Sequence, residues 1–367
     1  MNYWLLFLIL PARWKHKKRR LEVRTNKAKI IFLFVAMTLL LPWSVAYASD
    51  SVEPRSEVGY VAVIPSNQEN ASVEKLTAGD NNSLDKQWAL SKVMAPEAWQ
   101  ITSGEADVIV AVLDTGIDQT HEDLAGKVIA NANFTQSPSD DDIHGHGTHM
   151  AGIIAAAENT FGITGLAHDI SLMNVKVAED NGTCNAETVA KGIIWAADNG
   201  ARVINISLTF AEPWSPLEEA VDYAWGKGVV LVAAAGNNFG LVPVYPAAYP
   251  NVIAVAATDQ DDHLPRWSNH SDWISVAAPG VDIYSTLPED DYGHKSGTSL
   301  AAAIVSGEAG LLFTIATDTN GNGRINDEVR YEIESNCDEV GIDGLGGGRI
   351  NALKAAMAID LASDSKQ

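Results

Sequence analysis

The chain has 367 residues, 46% apolar and 20% charged, which is enough length to bury a sizeable core and too apolar a composition for wholesale disorder. Lys and Arg number 25 against 47 Asp and Glu, a net charge of −22, so the surface repels phosphate and nucleic acid is not an expected partner. The two cysteines, Cys184 and Cys337, allow one bridge and require none, and with no CxxC pair or zinc spacing they exclude redox catalysis and a structural zinc site.

The first 48 residues carry nine basic residues between Arg13 and Lys29 and one acid, Glu22. An apolar run, Ile30 to Leu41 with only Thr38 intervening, leads into Pro42 and then Ala46-Tyr47-Ala48. Positive region, apolar region and small-x-small triplet follow the order of a secretory signal peptide, cut after Ala48. The rival expectation is an uncleaved anchor formed by residues 30–48, the one case in which a membrane would be a partner. Pro42 and the A-x-A triplet favour cleavage, and with it a secreted, extracellular protein.

Residues 49–85 are rich in Ser, Asn, Asp and Glu, with one strand-like run at Gly59 to Ile64, and read as a short pro-segment or linker. From there the pattern changes. Continuous apolar runs of strand length occur at Val108–Leu113, Ile170–Val177, Val203–Leu208, Val229–Ala235 and Val252–Ala257. Helical patterns separate them at Thr148–Ala157, Glu187–Asp198 and Leu217–Trp225, and two more follow at Ser299–Ile315 and Asn351–Leu361. Strands apolar on both faces, alternating with helices, predict an α/β fold with a mostly parallel sheet. Residues 86–362 make one domain, 363–367 a tail, and ligands are expected beyond the carboxyl ends of the strands.

Asp114 follows the first strand in Val112-Leu113-Asp114-Thr115-Gly116, where it can hold a histidine or simply cap a turn. His146 lies in His144-Gly145-His146-Gly147-Thr148-His149, between glycines that let other backbone approach the imidazole. The three histidines lack the i, i+4 pair and acid of a zinc-protease helix. Ser299, in Ser296-Gly297-Thr298-Ser299-Leu300-Ala301-Ala302-Ala303, opens an Ala-rich helix whose N-terminal amides suit an oxyanion. Asn237, in Ala235-Gly236-Asn237-Asn238 after another strand, can add a side-chain donor.

The order Asp114, His146, Asn237, Ser299 differs from those of the chymotrypsin and α/β-hydrolase groups. From about Gln87 to Ala358 the sequence resembles the subtilase family of serine proteases, and within it the thermitase-like secreted enzymes. The shared segments are Lys92 to Trp99, Asp114-Thr115-Gly116, His146-Gly147-Thr148-His149, Ala235-Gly236-Asn237 and Gly297-Thr298-Ser299.

The resemblance implies a subtilisin-like three-layer sandwich and a monomer that cuts polypeptides without an organic cofactor. It makes Ser299 the nucleophile, His146 the proton carrier, Asp114 the group that orients it, and Asn237 the oxyanion donor. It places Ser207, Leu208 and Thr209 along one side of the substrate and Gly182 and Cys184 along the other. It also implies a structural calcium held by Asp123, Asn159 and the carbonyls of Ala157, Phe161 and Ile163, with Asp80 contributing from the N-terminal arm.

Departures are visible. Leu300-Ala301-Ala302-Ala303-Ile304 replaces the usual proline-containing turn after the nucleophile, and Thr209-Phe210 stands where two glycines are usual, which is expected to narrow the cleft. Residues 49–85 are also shorter than the family's usual pro-domain. A second loop, Asp318 to Val329, partly matches an EF-hand, with Glu328 one place early for the bidentate acid, and reads equally as an Asn/Gly turn.

Overall fold

The structure is a computed structural model, and it describes residues 61–64 and 84–364. The expected leader, most of the expected pro-segment, Asp80 and the last three residues lie outside them. The central feature is a seven-stranded sheet in the order β3-β4-β2-β6-β7-β8-β9. Its strands are β2 (Ile109–Asp114), β3 (Val128–Asn133), β4 (Ser171–Lys176), β6 (Val203–Ile206), β7 (Val230–Ala234), β8 (Val252–Thr258) and β9 (Val276–Pro279). Every pairing between neighbours is parallel.

The apolar runs become strands because helices cover both faces. Val110 and Val112 of β2 join one core together with α3 (His146–Ala155), α6 (Thr298–Phe313), α7 (Asn326–Ser335) and α8 (Ala352–Asp364). Ala111 and Leu113, pointing the other way, join a second core with α4 (Ala186–Asp198) and α5 (Ser215–Gly226). The result is the three-layer sandwich expected of the sequence.

The boundaries move by a few residues. The serine helix begins at Thr298 with Gly297 as its N-cap, so Ser299 stands in the first turn instead of capping it. Before the sheet come a 3-10 turn at Leu84–Lys86 and the short helices α1 (Trp88–Lys92) and α2 (Ala95–Ala98). Two antiparallel pairs lie outside the sheet: β10 (Ile283–Leu287) with β11 (Asp291–Lys295), and β1 (Val61–Val63) with β5 (Thr183–Asn185). Cys184 and Cys337 are free thiols, each pushed up to about 12, chiefly by burial.

Candidate active site

Asp114 is the last residue of β2 and fully buried. Its Oδ1 lies 2.7 Å from His146 Nδ1 and accepts the Thr115 amide at 2.8 Å. His146 opens α3, where close approach to the strand end is needed. A Cβ on Gly147 would stand 2.0 Å from the Gly116 carbonyl oxygen, so only glycine lets the helix start there. His146 Nε2, on the far side of the ring, has no hydrogen-bond partner among the described residues. The neighbouring His144 imidazole is held below the usual range, first by burial and then by the positive charge His146 would carry.

Ser299 is 6% exposed. Its Oγ donates to the Ser207 carbonyl at 3.3 Å, and Ser207 Oγ donates back to the Ser299 carbonyl at 3.1 Å. Behind them Ser306 Oγ donates to Asn205 Oδ1, and Asn205 Nδ2 to Ser207 Oγ, a buried chain tying α6 to the end of β6. Asn237 follows β7. Its Oδ1 accepts both the amide and the hydroxyl of Thr298, each at 2.9 Å, and Thr298 Oγ1 accepts the Gly236 amide. Asn269 closes the same loop by donating to the Ala235 carbonyl and accepting from the Asn238 and Gly240 amides.

These residues surround a cleft of about 200 Å³ lined by Ser207, Leu208, Thr209, Gly236, Asn237 and Ser299, and also by Ala62 and Ile64. The last two belong to the segment that carries β1. Ala62 pairs with Cys184, Val63 with Thr183, and the Ile64 amide donates to the Gly182 carbonyl at 3.0 Å. Gly182 and Cys184 thus meet an extended strand through their backbones. The Cys184 side chain is buried in the second core instead of lining the cleft.

Thr209 lines the cleft, but Phe210 does not narrow it as the sequence suggested. Its ring is buried in the second core, and its backbone exchanges hydrogen bonds with Tyr245.

Asp123 is fully buried, and burial raises the pKa of its carboxyl. One of its oxygens accepts Asn159 Nδ2 at 2.7 Å, the other the Ile163 amide and the Tyr292 hydroxyl. Asp123, Asn159 and the 157–163 loop thus come together, with Asn159 giving its amide NH2 to Asp123 and its oxygen to the Phe161 amide. Among the described residues, no three or more His, Cys, Asp or Glu gather in a metal-holding group. The Asp318 loop is bound up in itself: Asp318 accepts the Gly321 and Gly323 amides, and Glu328 accepts the Thr319 amide.

Sequence reasoning missed Thr298, Asn269 and Asp142, all of which hold the four chemical residues in place. The first adjoined a residue already singled out; the other two carried no local signal beyond being Asn or Asp in a loop.

The subtilase family model matches residues 105–339. The thermophilic serine proteinase of Bacillus sp. (strain AK1) is 43% identical over 285 residues, covering 76% of this chain and 69% of that protein. Thermitase of Thermoactinomyces vulgaris is 43% identical over 283 residues, 76% of this chain and 99% of that protein. Subtilisin Savinase of Lederbergia lenta is 38% identical over 267 residues, 72% and 96% respectively. With a family model covering more than half its length and a relative matched almost end to end, this chain belongs to the subtilase family and is a subtilisin-like serine protease.

Proposed function

We propose that this subtilase is a secreted endopeptidase that opens peptide bonds through an acyl-enzyme on Ser299. The observation that carries the reading is the buried 2.7 Å contact between Asp114 and His146, in a chain whose Ser299 lines a cleft together with Asn237. With Nδ1–H given to the carboxylate, the basic lone pair of the ring lies on Nε2, the nitrogen without another partner. Ser299 Oγ leaves the Ser207 carbonyl, passes its proton to Nε2 and attacks the scissile carbonyl carbon. The resulting oxyanion takes hydrogen bonds from the Ser299 amide, an orphan donor of the helix's first turn, and from Asn237 Nδ2. His146 then gives the proton to the departing amine, and water repeats the cycle on the ester.

The substrate class is supported by β1, an extended piece of polypeptide already paired with β5 along the cleft. In this reading residues 61–64 sit where the acyl side of a substrate would, and the pro-segment blocks the enzyme until it is removed.

A structural calcium is supported by Asp123, a buried carboxylate whose hydrogen-bond partners are a side-chain amide, a backbone N–H and a hydroxyl, which suits a hard cation. The carbonyls of Ala157, Phe161 and Ile163 would complete the donor set, together with the Asn159 amide oxygen once it turns from the Phe161 amide it now accepts, its Nδ2 now facing Asp123. Export rests on the leader's sequence pattern. Among the described residues, no helix is long and apolar enough to cross a membrane.

The test is labelling with a fluorophosphonate and hydrolysis of casein. The parent protein should label at Ser299 and cut. Ser299→Ala should do neither while melting at the parent's temperature, because it removes one small hydroxyl. Substantial proteolysis by Ser299→Ala would sink the assignment. N-terminal sequencing of the exported protein reports on leader and pro-segment together.

A further inference from the structure

Asp142 takes no part in the chemistry above, yet it is 2% exposed and accepts five hydrogen bonds. Its Oδ1 takes the Thr115 hydroxyl at 2.8 Å, the His144 amide at 3.1 Å and the Gly145 amide at 2.8 Å. Its Oδ2 takes the Thr148 amide at 2.8 Å and the Thr148 hydroxyl at 2.7 Å. The donors at 144, 145 and 148 lie on both sides of His146 in the chain and fix the first turn of α3. Thr115 carries the constraint across to β2. Its hydroxyl accepts the Gly147 amide at 3.0 Å, while its own amide donates to Asp114 Oδ1, the oxygen that also meets His146. Both members of the Asp114–His146 pair are therefore fastened, through one threonine, to a single buried carboxylate.

We propose that Asp142 is a positioning residue for the catalytic pair, setting the angle at which the His146 ring meets Asp114. The proposal rests on the proteolytic reading for its consequence in rate, though not for its consequence in geometry. A carboxylate is required because every group facing it is a donor. In Asp142→Asn the amide nitrogen must confront either the His144 and Gly145 amides or the Thr148 amide, none of which can accept. Loss of those bonds frees the histidine turn to shift, and a displacement of about 1 Å at a reacting group costs on the order of 100-fold in rate.

The experiment compares Asp142→Asn, Thr115→Val and Thr115→Ser with the parent chain in three measurements. These are kcat and KM on a peptide substrate, the low-field proton resonance of His146 Nδ1–H, and the melting temperature. Asp142→Asn and Thr115→Val should lower kcat about 10–100-fold with KM within about twofold, and should shift or broaden the resonance. Thr115→Ser, which keeps the hydroxyl, should restore both. The proposal is overturned if folded Asp142→Asn keeps kcat within about threefold of the parent, or if its resonance is unmoved. Should Asp142→Asn fail to fold, Thr115→Val against Thr115→Ser decides, and equal kcat in that pair overturns it. If the parent itself is not labelled at Ser299, the proteolytic reading has failed, and the resonance alone still decides the role of Asp142.

Discussion

In the proposed mechanism Asn237 does two jobs with the two atoms of one amide. Its Oδ1 is occupied by the Thr298 amide and hydroxyl, which fixes the plane of the group and leaves Nδ2 as the donor for the cleft. Asn237→Ala should therefore lower kcat about 10²–10³-fold with little change in KM, since the donor is used only once negative charge has developed on the substrate oxygen. Steady-state rates on a peptide substrate check this; an equal or larger rise in KM would make Asn237 part of the substrate cleft instead. Asp114, His146, Asn237 and Ser299 were legible because each sits beside glycines or alanines at the end of a strand or the start of a helix, and such crowding of small residues shows in a sequence. Asn269 and Asp142 were not, since their work is done on groups that folding brings to them.

Helix α6 carries Ser299, the proposed nucleophile, and is buried along its whole length, so its small and apolar sequence has no polar face. Beside the hydroxyls of Thr298, Ser299 and Ser306 it carries one ionisable carboxyl, Glu308. This residue is 0% exposed, neither carboxyl oxygen has a partner among the described residues, and burial pushes its pKa up to about 8. The Cys337 thiol, itself raised by burial, feels this charge from the loop after α7. A carboxyl raised in the folded state is protonated there while the unfolded chain, with a pKa near 4.3, is already ionised. The stability that neutral Glu308 permits is thus complete below about pH 4.3 and is lost at about 1.4 kcal/mol per pH unit until the folded group ionises near 8. Urea unfolding of the active-site-blocked protein between pH 5 and 8 should show stability falling with pH, and Glu308→Gln should flatten that slope. Equal slopes in the two proteins would mean Glu308 finds a partner. At this scale, apart from β9 (Val276–Pro279) and α7 (Asn326–Ser335), which the sequence reading did not name, the buried strands of the sheet and the long helices were readable from their apolar runs. Strand β3 was not: Val128–Asn133 is an edge strand of alternating half-buried and exposed residues, so it carries no continuous run.

Over the whole molecule, the net charge of −22 means the folded state works against its own repulsion, and a bound divalent cation lowers that charge while joining distant segments. Asp123 lies in the connection between β2 and β3 and Asn159 in the loop after α3, so an ion held between them is released on unfolding. At about 100 times its Kd such an ion adds roughly 2.7 kcal/mol. Melting curves of the inhibited enzyme should therefore move up from EDTA to millimolar calcium. Asp123→Asn, which keeps the size of the side chain and removes its charge, should melt at one temperature in both. A parent that ignores calcium would leave Asp123 as a buried carboxylate satisfied by Asn159, Ile163 and Tyr292 alone. If Asp123→Asn responds as fully as the parent, the ion binds elsewhere. Asp318, whose two oxygens take the loop's own amides, and Glu328, whose Oε2 has no partner among the described residues, become the next carboxylates to replace.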